Sequence, residues 1–432
     1  MSEQVVTSSL SVTSPGRFPL GKRWPDALPW WGFLLALVFI AAAVISRKPS
    51  LVFHAQFIAD EGLWFADAYI NGALHSLFQP QAGYLCIASK LPVVLALHVP
   101  LVYAPVVFGV FAAGVHALMA GFLLTSRLAH VASLQARTML CVLCIAIPNC
   151  SEIDSLNDTQ WMLAALAFAV LVSTAPKTTA WRVFDVVSIS LISVTGPFSV
   201  LLLPFAVVFW AIRRTRWAVL LSCLLAAGAS IQVLTLAHAM NTCKPREILD
   251  PLLIKLSAGQ IFLFGTLNGG NILTAPSVQP VETMALATFV LIAGISLAIY
   301  ALLNAPLELK LFVCFAALVL AAALRRLHCD SGWDWQSLMS VSYATRYWYI
   351  PRLAVLAVLV WTVGGARPMW LRTAAIIAIL LLAGSAFAHW RYPAWPDQDF
   401  PKYAHAFEHV PPGTQFSIPV NPPGWKIILV KH

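Results

Sequence analysis

Long apolar runs recur along the sequence from residue 28 to residue 388. The first run, residues 28–46, would measure ~28 Å as a helix, close to the hydrocarbon thickness of a bilayer. The chain is 59% hydrophobic and 10% charged, whereas a soluble domain carries roughly 25% charged residues. A chain with so little charge cannot cover its surface with polar groups in water. We therefore predict an all-α polytopic membrane protein.

The segments between the runs set the expected orientation, because short loops rich in Lys and Arg stay cytoplasmic. Arg17, Lys22 and Arg23 precede the first run, which places the N-terminus in the cytoplasm. Alternation of basic loops then predicts about eleven transmembrane helices, at residues 28–46, 104–125, 138–147, 160–174, 183–195, 198–212, 217–236, 283–303, 309–324, 350–364 and 373–388.

The chain divides into three predicted parts. Residues 1–27 form a flexible cytoplasmic tail, residues 28–388 form the transmembrane domain, and residues 389–432 form a small periplasmic cap. In the cap two β-like runs flank a Pro-Gly turn. The first outer loop is long and includes an apolar stretch, 85–99, that we expect to be a juxtamembrane helix. The predicted outer loops are 47–103, 148–159, 237–282 and 325–349.

The acidic residues are distributed unevenly on this map. All but four of the 18 Asp and Glu residues lie in predicted outer segments; the exceptions are Glu3, Asp26, Asp185 and Glu308. The orientation rule depends little on Asp and Glu, so the asymmetry needs a separate cause. Chemistry at the outer face is one cause, and a generic polar surface is the alternative.

Two adjacent carboxylates, Asp60 and Glu61, follow the first run in an apolar and aromatic context. Burial raises the pKa of such a group and a nearby cation lowers it, so either residue is a candidate general base. The alternative is a helix start, with Asp60 in the first turn, where a negative charge stabilises the helix. The sequence leaves both interpretations open.

A second acidic turn, 148–161, contains Glu152, Asp154, Asn157 and Asp158. These side chains are candidates for the wall of a polar cleft that accepts sugar hydroxyls. They are also candidate ligands for a divalent cation, Mg or Mn, although no spacing is diagnostic of a metal site. The alternative is that Asn157 or Asp158 caps the helix that follows.

Arg346 and Lys90 are the candidate phosphate-binding residues of the outer segments. Arg346 stands beside Tyr347 where a span begins, and Lys90 follows Tyr84 in the first outer loop. A guanidinium binds phosphate through two parallel hydrogen bonds. Aromatic neighbours suit stacking on a sugar face or anchoring at the membrane interface.

Several tracts resemble the GT-C superfamily of membrane glycosyltransferases, in particular bacterial members that modify O-antigen or are uncharacterised. The resemblance rests on one span followed by a long acidic outer loop, and on short sequence tracts. These are Ala59-Asp60-Glu61, Gln81-Ala82-Gly83-Tyr84-Leu85, Thr195-Gly196-Pro197-Phe198, Arg346-Tyr347 and Ile418-Pro419-Val420-Asn421-Pro422-Pro423-Gly424-Trp425.

The resemblance implies a chemistry and a location. An acidic residue of the first outer loop acts as base in that superfamily, which matches Asp60 or Glu61. The expected reaction is an inverting transfer of a single sugar from a polyprenyl-phosphate donor to a periplasmic glycan or surface-protein acceptor, at the bacterial inner membrane. Some members use a divalent cation and many do not. No large C-terminal soluble domain is seen, which disfavours transfer of a whole glycan.

Two other functions are compatible with the composition. A transporter or flippase of lipid-linked sugars requires paired charges at mid-membrane depth, and the predicted spans contain almost none. A non-catalytic envelope-assembly protein would not bring Asp60, Glu61 and Arg346 together. The net charge of +9 is attributed to anionic lipid rather than to nucleic acid. No P-loop, HExxH or GxSxG motif is present.

Overall fold

The computed structural model describes residues 28–148, 150, 155–239, 251–264, 280–329, 345–365 and 368–432. Seven helices among them are long and apolar enough to cross a membrane. The predicted helical membrane protein is therefore confirmed. The seven segments are Trp30–Arg47, Leu101–Phe122, Arg216–Ala237, Glu282–Asn304, Leu307–Arg325, Thr345–Gly365 and Met369–Ala388.

The described chain forms helices α1 to α16 and one hairpin. The helices are α1 Trp30–Arg47, α2 Asp60–Asn71, α3 Ala73–Phe78, α4 Ile87–Ala96, α5 Ala104–Phe122, α6 Leu134–Ile145, α7 Thr159–Val172, α8 Thr179–Ser193, α9 Phe198–Arg213, α10 Arg216–Ala239, α11 Pro251–Ser257, α12 Pro280–Asn304, α13 Leu307–Cys329, α14 Thr345–Gly365, α15 Met369–Ala388 and α16 Phe400–Glu408. The strands are β1 Gln415–Val420 and β2 Trp425–Val430.

Four helices, α6 to α9, occupy regions predicted as spans but are short. They contain 12 to 16 residues, or ~18–24 Å at 1.5 Å per residue, against ~30 Å of bilayer hydrocarbon. Helix α7 is buried along almost its whole length, so protein rather than lipid surrounds it. Among the described residues, seven of the eleven predicted spans therefore correspond to a helix that is long and apolar enough to cross a membrane.

The largest hydrophobic core surrounds α7. Its Phe168 contacts Phe205 of α9 and Phe315 of α13, with ring centroids 6.0 and 5.3 Å away, and Phe205 and Phe315 contact each other at 5.6 Å. Aromatic contacts of this kind stabilise a fold by more than the burial of their surface area alone accounts for. Three helices distant in sequence are therefore joined at the centre of the bundle.

Contacts between loops define two ends of the bundle. At one end, Tyr392 donates a hydrogen bond to the carbonyl of Ile147 at 2.6 Å, and Asn157 donates to Asp60; we call this the Asp60 end. At the other, the Arg127 end, Arg127 pairs with Asp185 at 2.7 Å. The predicted outer loops that are described here therefore share one end.

The C-terminal segment folds against the first outer loop. The β-like runs of the sequence pair as an antiparallel hairpin, Val420 opposite Trp425 next to the turn. Side chains from the hairpin and α16 form one hydrophobic core with α2 and the chain before it. The cap shares this core with the first outer loop; its main members are Phe57, Trp64, Phe65, Phe400, Ile418 and Ile427.

Helix α5 lies against the turn that leads from α1 towards α2 because Gly109 has no side chain. A Cβ atom built at Gly109 would overlap the carbonyl oxygen of Leu51. We expect Gly109→Ala to destabilise the protein by about 1–3 kcal/mol, the usual cost of overpacking. Gly114, on the same helix, has open space around it, so Gly114→Ala should stabilise by roughly 0.5–1 kcal/mol. Thermal unfolding in detergent measures both, and equal shifts would contradict this packing role.

Candidate active site

Asp60 is held at the start of α2 by two amide side chains from different loops. Its Oδ1 accepts a hydrogen bond from Gln81 Nε2 at 3.1 Å, and its Oδ2 accepts one from Asn157 Nδ2 at 3.2 Å. The carboxylate is half-buried. Asp60 begins α2, as one interpretation of the sequence predicted. Its carboxylate also links the first outer loop to the second acidic turn.

Arg346 lies in the first turn of α14 and contacts the residue that follows Asn157, the donor to Asp60. Its Nη1 is 3.6 Å from Asp158 Oδ1, and its guanidinium carbon is 5.2 Å from the centre of the Tyr347 ring. Arg346 is also the strongest charge acting on Asp60. Arg346 therefore pairs with Asp158 and acts on Asp60 through its charge.

Burial and charge act in opposite directions on these two carboxylates. Burial raises the pKa of Asp60, while Arg346, the Asn157 hydrogen bond and Lys90 lower it, and the net direction is upward. Burial raises the pKa of Asp158 to about 6, against the lowering effects of Arg346 and the Ser155 hydroxyl. Raised pKa values of this kind suit groups that take up a proton near neutral pH.

Glu61 has a different environment from its neighbour. It is 3% exposed, and its Oε1 accepts a hydrogen bond from the Leu156 amide at 2.6 Å while Oε2 accepts one from the Ile58 amide at 3.3 Å. Burial, the largest influence, raises its pKa to about 7. Both oxygens face main-chain donors, so Glu61 connects the first outer loop to the turn that carries Asn157.

The raised pKa of Glu61 predicts a specific pH dependence of stability. Between its ordinary value of 4.5 and about 7, the folded chain keeps a proton that the unfolded chain has lost. This contribution to stability is complete below the ordinary value and is lost as the pH rises through the folded pKa. Its size is on the order of 3 kcal/mol. We expect Glu61→Gln to flatten the fall in Tm between acidic and mildly basic pH.

Glu408→Gln is the matched control for Glu61, because Glu408 lies exposed on α16. This variant should follow the wild-type curve. Parallel Tm curves for Glu61→Gln and the wild type would show that Glu61 does not titrate with folding.

Lys90, a predicted phosphate ligand, is engaged elsewhere. It is 2% exposed, its Nζ donates to the carbonyls of Ser76 and Gln79 at 2.9 and 2.7 Å, and it lies 5.6 Å from the Trp64 ring. Lys90 therefore closes the end of α3 and acts on Asp60 through its charge alone.

Tyr84 contributes to the site through its main chain. Its amide and carbonyl pair with those of Gln81 at 3.1 and 2.9 Å, which forms the turn that presents Gln81 to Asp60. Glu152 and Asp154 lie outside the described residues.

Sequence reasoning missed three residues that surround these groups: Gln81, Gln160 and Trp161. The Trp161 ring meets Tyr347 edge-on at 5.6 Å. Within the described part of the chain, Gln160 Oε1 and Trp161 Nε1 are buried without a hydrogen-bond partner. Gln81 stood in a tract that the sequence singled out, whereas nothing marked Gln160 and Trp161 beyond their place in the acidic turn.

The Thr195-Gly196-Pro197 break lies beneath this group of residues. Gly196 has a φ of 68°, its amide donates to the Leu85 carbonyl at 2.7 Å, and a Cβ atom there would overlap Gln160 Oε1. A glycine is required because only glycine adopts this conformation freely and leaves room for the amide side chain. The break therefore joins α8 and α9 under the acidic turn.

Of the four candidate cation ligands, only Asn157 and Asp158 lie among the described residues. No cluster of three or more His, Cys, Asp or Glu side chains that could hold a metal occurs among the described residues. The two carboxylates that do approach, Asp60 and Asp158, are both compensated by Arg346. The guanidinium of Arg346 is a group that can attract a phosphate oxygen.

Comparisons with family models, with curated proteins and with solved structures found no match to this chain.

Proposed function

We propose that this protein is an inverting glycosyltransferase of the GT-C type. It moves a single sugar from a polyprenyl-phosphate donor to a glycan or surface-protein acceptor, at the periplasmic face of the bacterial inner membrane. The observation that carries the proposal is the half-buried carboxylate of Asp60 under the influence of Arg346, at one end of a membrane bundle. A base and a phosphate-binding cation are the two groups that such a transfer requires.

The chemistry follows from those two groups. An acceptor hydroxyl oxygen bonds to the anomeric carbon while Asp60 takes its proton. The bond from the anomeric carbon to the phosphate oxygen breaks, and the electron pair leaves with the polyprenyl phosphate. Arg346 stabilises the negative charge that develops there. A single displacement inverts the anomeric centre.

Asp60 suits the base better than Glu61 does. A general base must reach the proton that it abstracts, directly or through one water. Asp60 is half-buried and its two partners are neutral amides. Glu61 is buried with both oxygens facing main-chain amides, so a substrate hydroxyl would have to displace a structural hydrogen bond. The sequence left the base open between Asp60 and Glu61. We assign the base to Asp60 and a structural role to Glu61.

The surroundings of Asp60 suit a lipid-linked sugar. Tyr347, which is partly exposed, lies beside Arg346 and is an aromatic surface on which a sugar ring can stack. A donor held in the bilayer reaches this end of the bundle without entering water. In this proposal Arg346 offsets the negative charge of the phosphate.

The two alternative functions gain less support. An assembly protein without catalysis has no need to bring Asp60 and Arg346 to the same site, yet Asn157 binds Asp60, the next residue pairs with Arg346, and Arg346 lowers the pKa of Asp60. A transporter requires paired charges midway through the spans. The described pairs Arg127–Asp185 and Arg346–Asp158 belong instead to the two ends.

The proposal is tested with purified protein in lipid nanodiscs and a panel of polyprenyl-phosphate sugars. We expect stoichiometric release of polyprenyl phosphate and formation of a glycoside of opposite anomeric configuration. A nucleotide-sugar panel is the matched control and should give no product. Absence of transfer from every lipid-linked donor, or retention of the anomeric configuration, would refute the proposal.

A further inference from the structure

The cap is hydrogen-bonded to the main chain immediately before Asp60. The Asn421 amide donates to the Phe57 carbonyl at 3.0 Å, and the Asn421 carbonyl accepts from the Ala59 amide at 2.6 Å. Ile58 and Asn421 are paired as in neighbouring parallel strands. We call residues 420–422 the strap; they connect the cap hairpin to the first outer loop.

The strap holds Ala59 in a conformation that alanine rarely adopts. Ala59 has φ 48° and ψ −122°, and this sparsely populated region is strained for a residue other than glycine. It persists only where the surroundings over-determine it. Here Asn421 binds the main chain on both sides of Ile58, and Glu61 accepts from the Ile58 amide.

Asn421 is itself firmly anchored. Its side chain is fully buried, and its Nδ2 donates to the Pro396 carbonyl at 3.0 Å. Ile427 of the same hairpin packs so closely on α2 that a Cβ atom at Gly62 would lie 3.0 Å from its Cγ2 atom. The hairpin therefore leaves α2 no room to move towards it.

We propose that Asn421 is a positioning residue, which acts on Asp60 through Ala59. This inference rests on the proposed role of Asp60 as the base. Ala59 directly precedes Asp60, so its positive-φ conformation sets the direction in which α2 begins and in which the carboxylate projects. Released from the strap, Ala59 relaxes towards an ordinary conformation and carries Asp60 away from Gln81, Asn157 and Arg346.

The activity test uses Asn421→Ala, which removes the anchor to Pro396. We expect kcat to fall about 10- to 100-fold, the effect of a displacement of roughly 1 Å at a reacting group, with KM for the donor nearly unchanged. Ala59→Gly in the Asn421→Ala background should recover most of the loss, because glycine adopts a positive φ without strain. Ile428→Ala, exposed on the same hairpin, is the matched control and should keep wild-type activity.

A second measurement does not depend on the reaction. Hydrogen–deuterium exchange of residues 57–61 in the full chain should rise at least tenfold in Asn421→Ala and stay at the wild-type level in Ile428→Ala. Unchanged exchange would overturn the inference, and so would raised exchange in a variant with wild-type kcat. If the wild type transfers no sugar, the proposed function fails while the exchange result still decides whether the strap holds Ala59.

Discussion

Replacing Asp60 with Asn is expected to slow sugar transfer by about 10²- to 10⁴-fold, the usual contribution of a general base. Asparagine matches aspartate in shape but cannot take up the proton of the acceptor hydroxyl. Gln81 and Asn157 both donate to the carboxylate, so one of these donors loses an acceptor in the variant. We expect that loss to cost about 1 kcal/mol of stability, which leaves the protein folded.

Two variants isolate this effect from changes in structure or charge. Asp67→Asn alters another carboxylate of α2, which accepts a hydrogen bond from Asn71 within the same helix, and should transfer at the wild-type rate. Glu61→Gln leaves Asp60 able to accept a proton and should keep most of the activity. Initial rates at saturating donor decide the matter: an Asp60→Asn enzyme within threefold of the wild type would exclude Asp60 as the base.

The pH profile gives an independent signature of Asp60. A base must be deprotonated to act, so the rate falls as the pH drops through its pKa. Because burial raises the pKa of Asp60, the acidic limb of the wild-type profile should lie above the range of an ordinary aspartate. This limb should be absent from the residual activity of Asp60→Asn.

Replacing Arg346 with Gln is expected to lower kcat by about 10²- to 10³-fold, comparable to the loss of one donor that stabilises developing negative charge. The same variant removes the main lowering influence on the pKa of Asp60. The acidic limb should therefore move to higher pH. Arg346→Lys should be intermediate, because an ammonium keeps the charge but not the bidentate geometry.

Arg391→Gln is the control for this change of charge. Arg391 is exposed and adjoins Tyr392, whose hydroxyl donates to Ile147 at the same end of the bundle. A general effect of net charge would alter both variants equally. An acidic limb that stays in place, or moves to lower pH, in Arg346→Gln would show that Arg346 does not act on Asp60.

The short central helices show where hydropathy stops being informative. Apolar runs predict helices because an unpaired main chain is unstable in lipid, and helices formed in all four regions between residues 134 and 213. Whether such a helix crosses the bilayer depends on its neighbours. Helix α7 is enclosed by other helices, and the sequence pattern of an enclosed helix matches that of a short span.

The choice between Asp60 and Glu61 shows the same limit at the site. Adjacent residues in one tract share their composition and their distance from the first span, so no local pattern separates them. The separation comes from the Leu156 amide, which belongs to a segment far along the chain and donates to Glu61. Lys90 is a similar case. Its ammonium group binds the carbonyls of Ser76 and Gln79 at the end of α3, and no local sequence pattern indicates these contacts.

The sequence by itself determined the helical membrane architecture, because burying a main chain in lipid permits few solutions. It also identified Asp60, Asn157, Asp158 and Arg346, since polar groups are conspicuous in an apolar chain. Only the tertiary structure decided which of them meet, and that Asn421 of the cap braces the residue before Asp60. Those contacts join residues distant in sequence, and their hydrogen bonds depend on packing that no local pattern encodes.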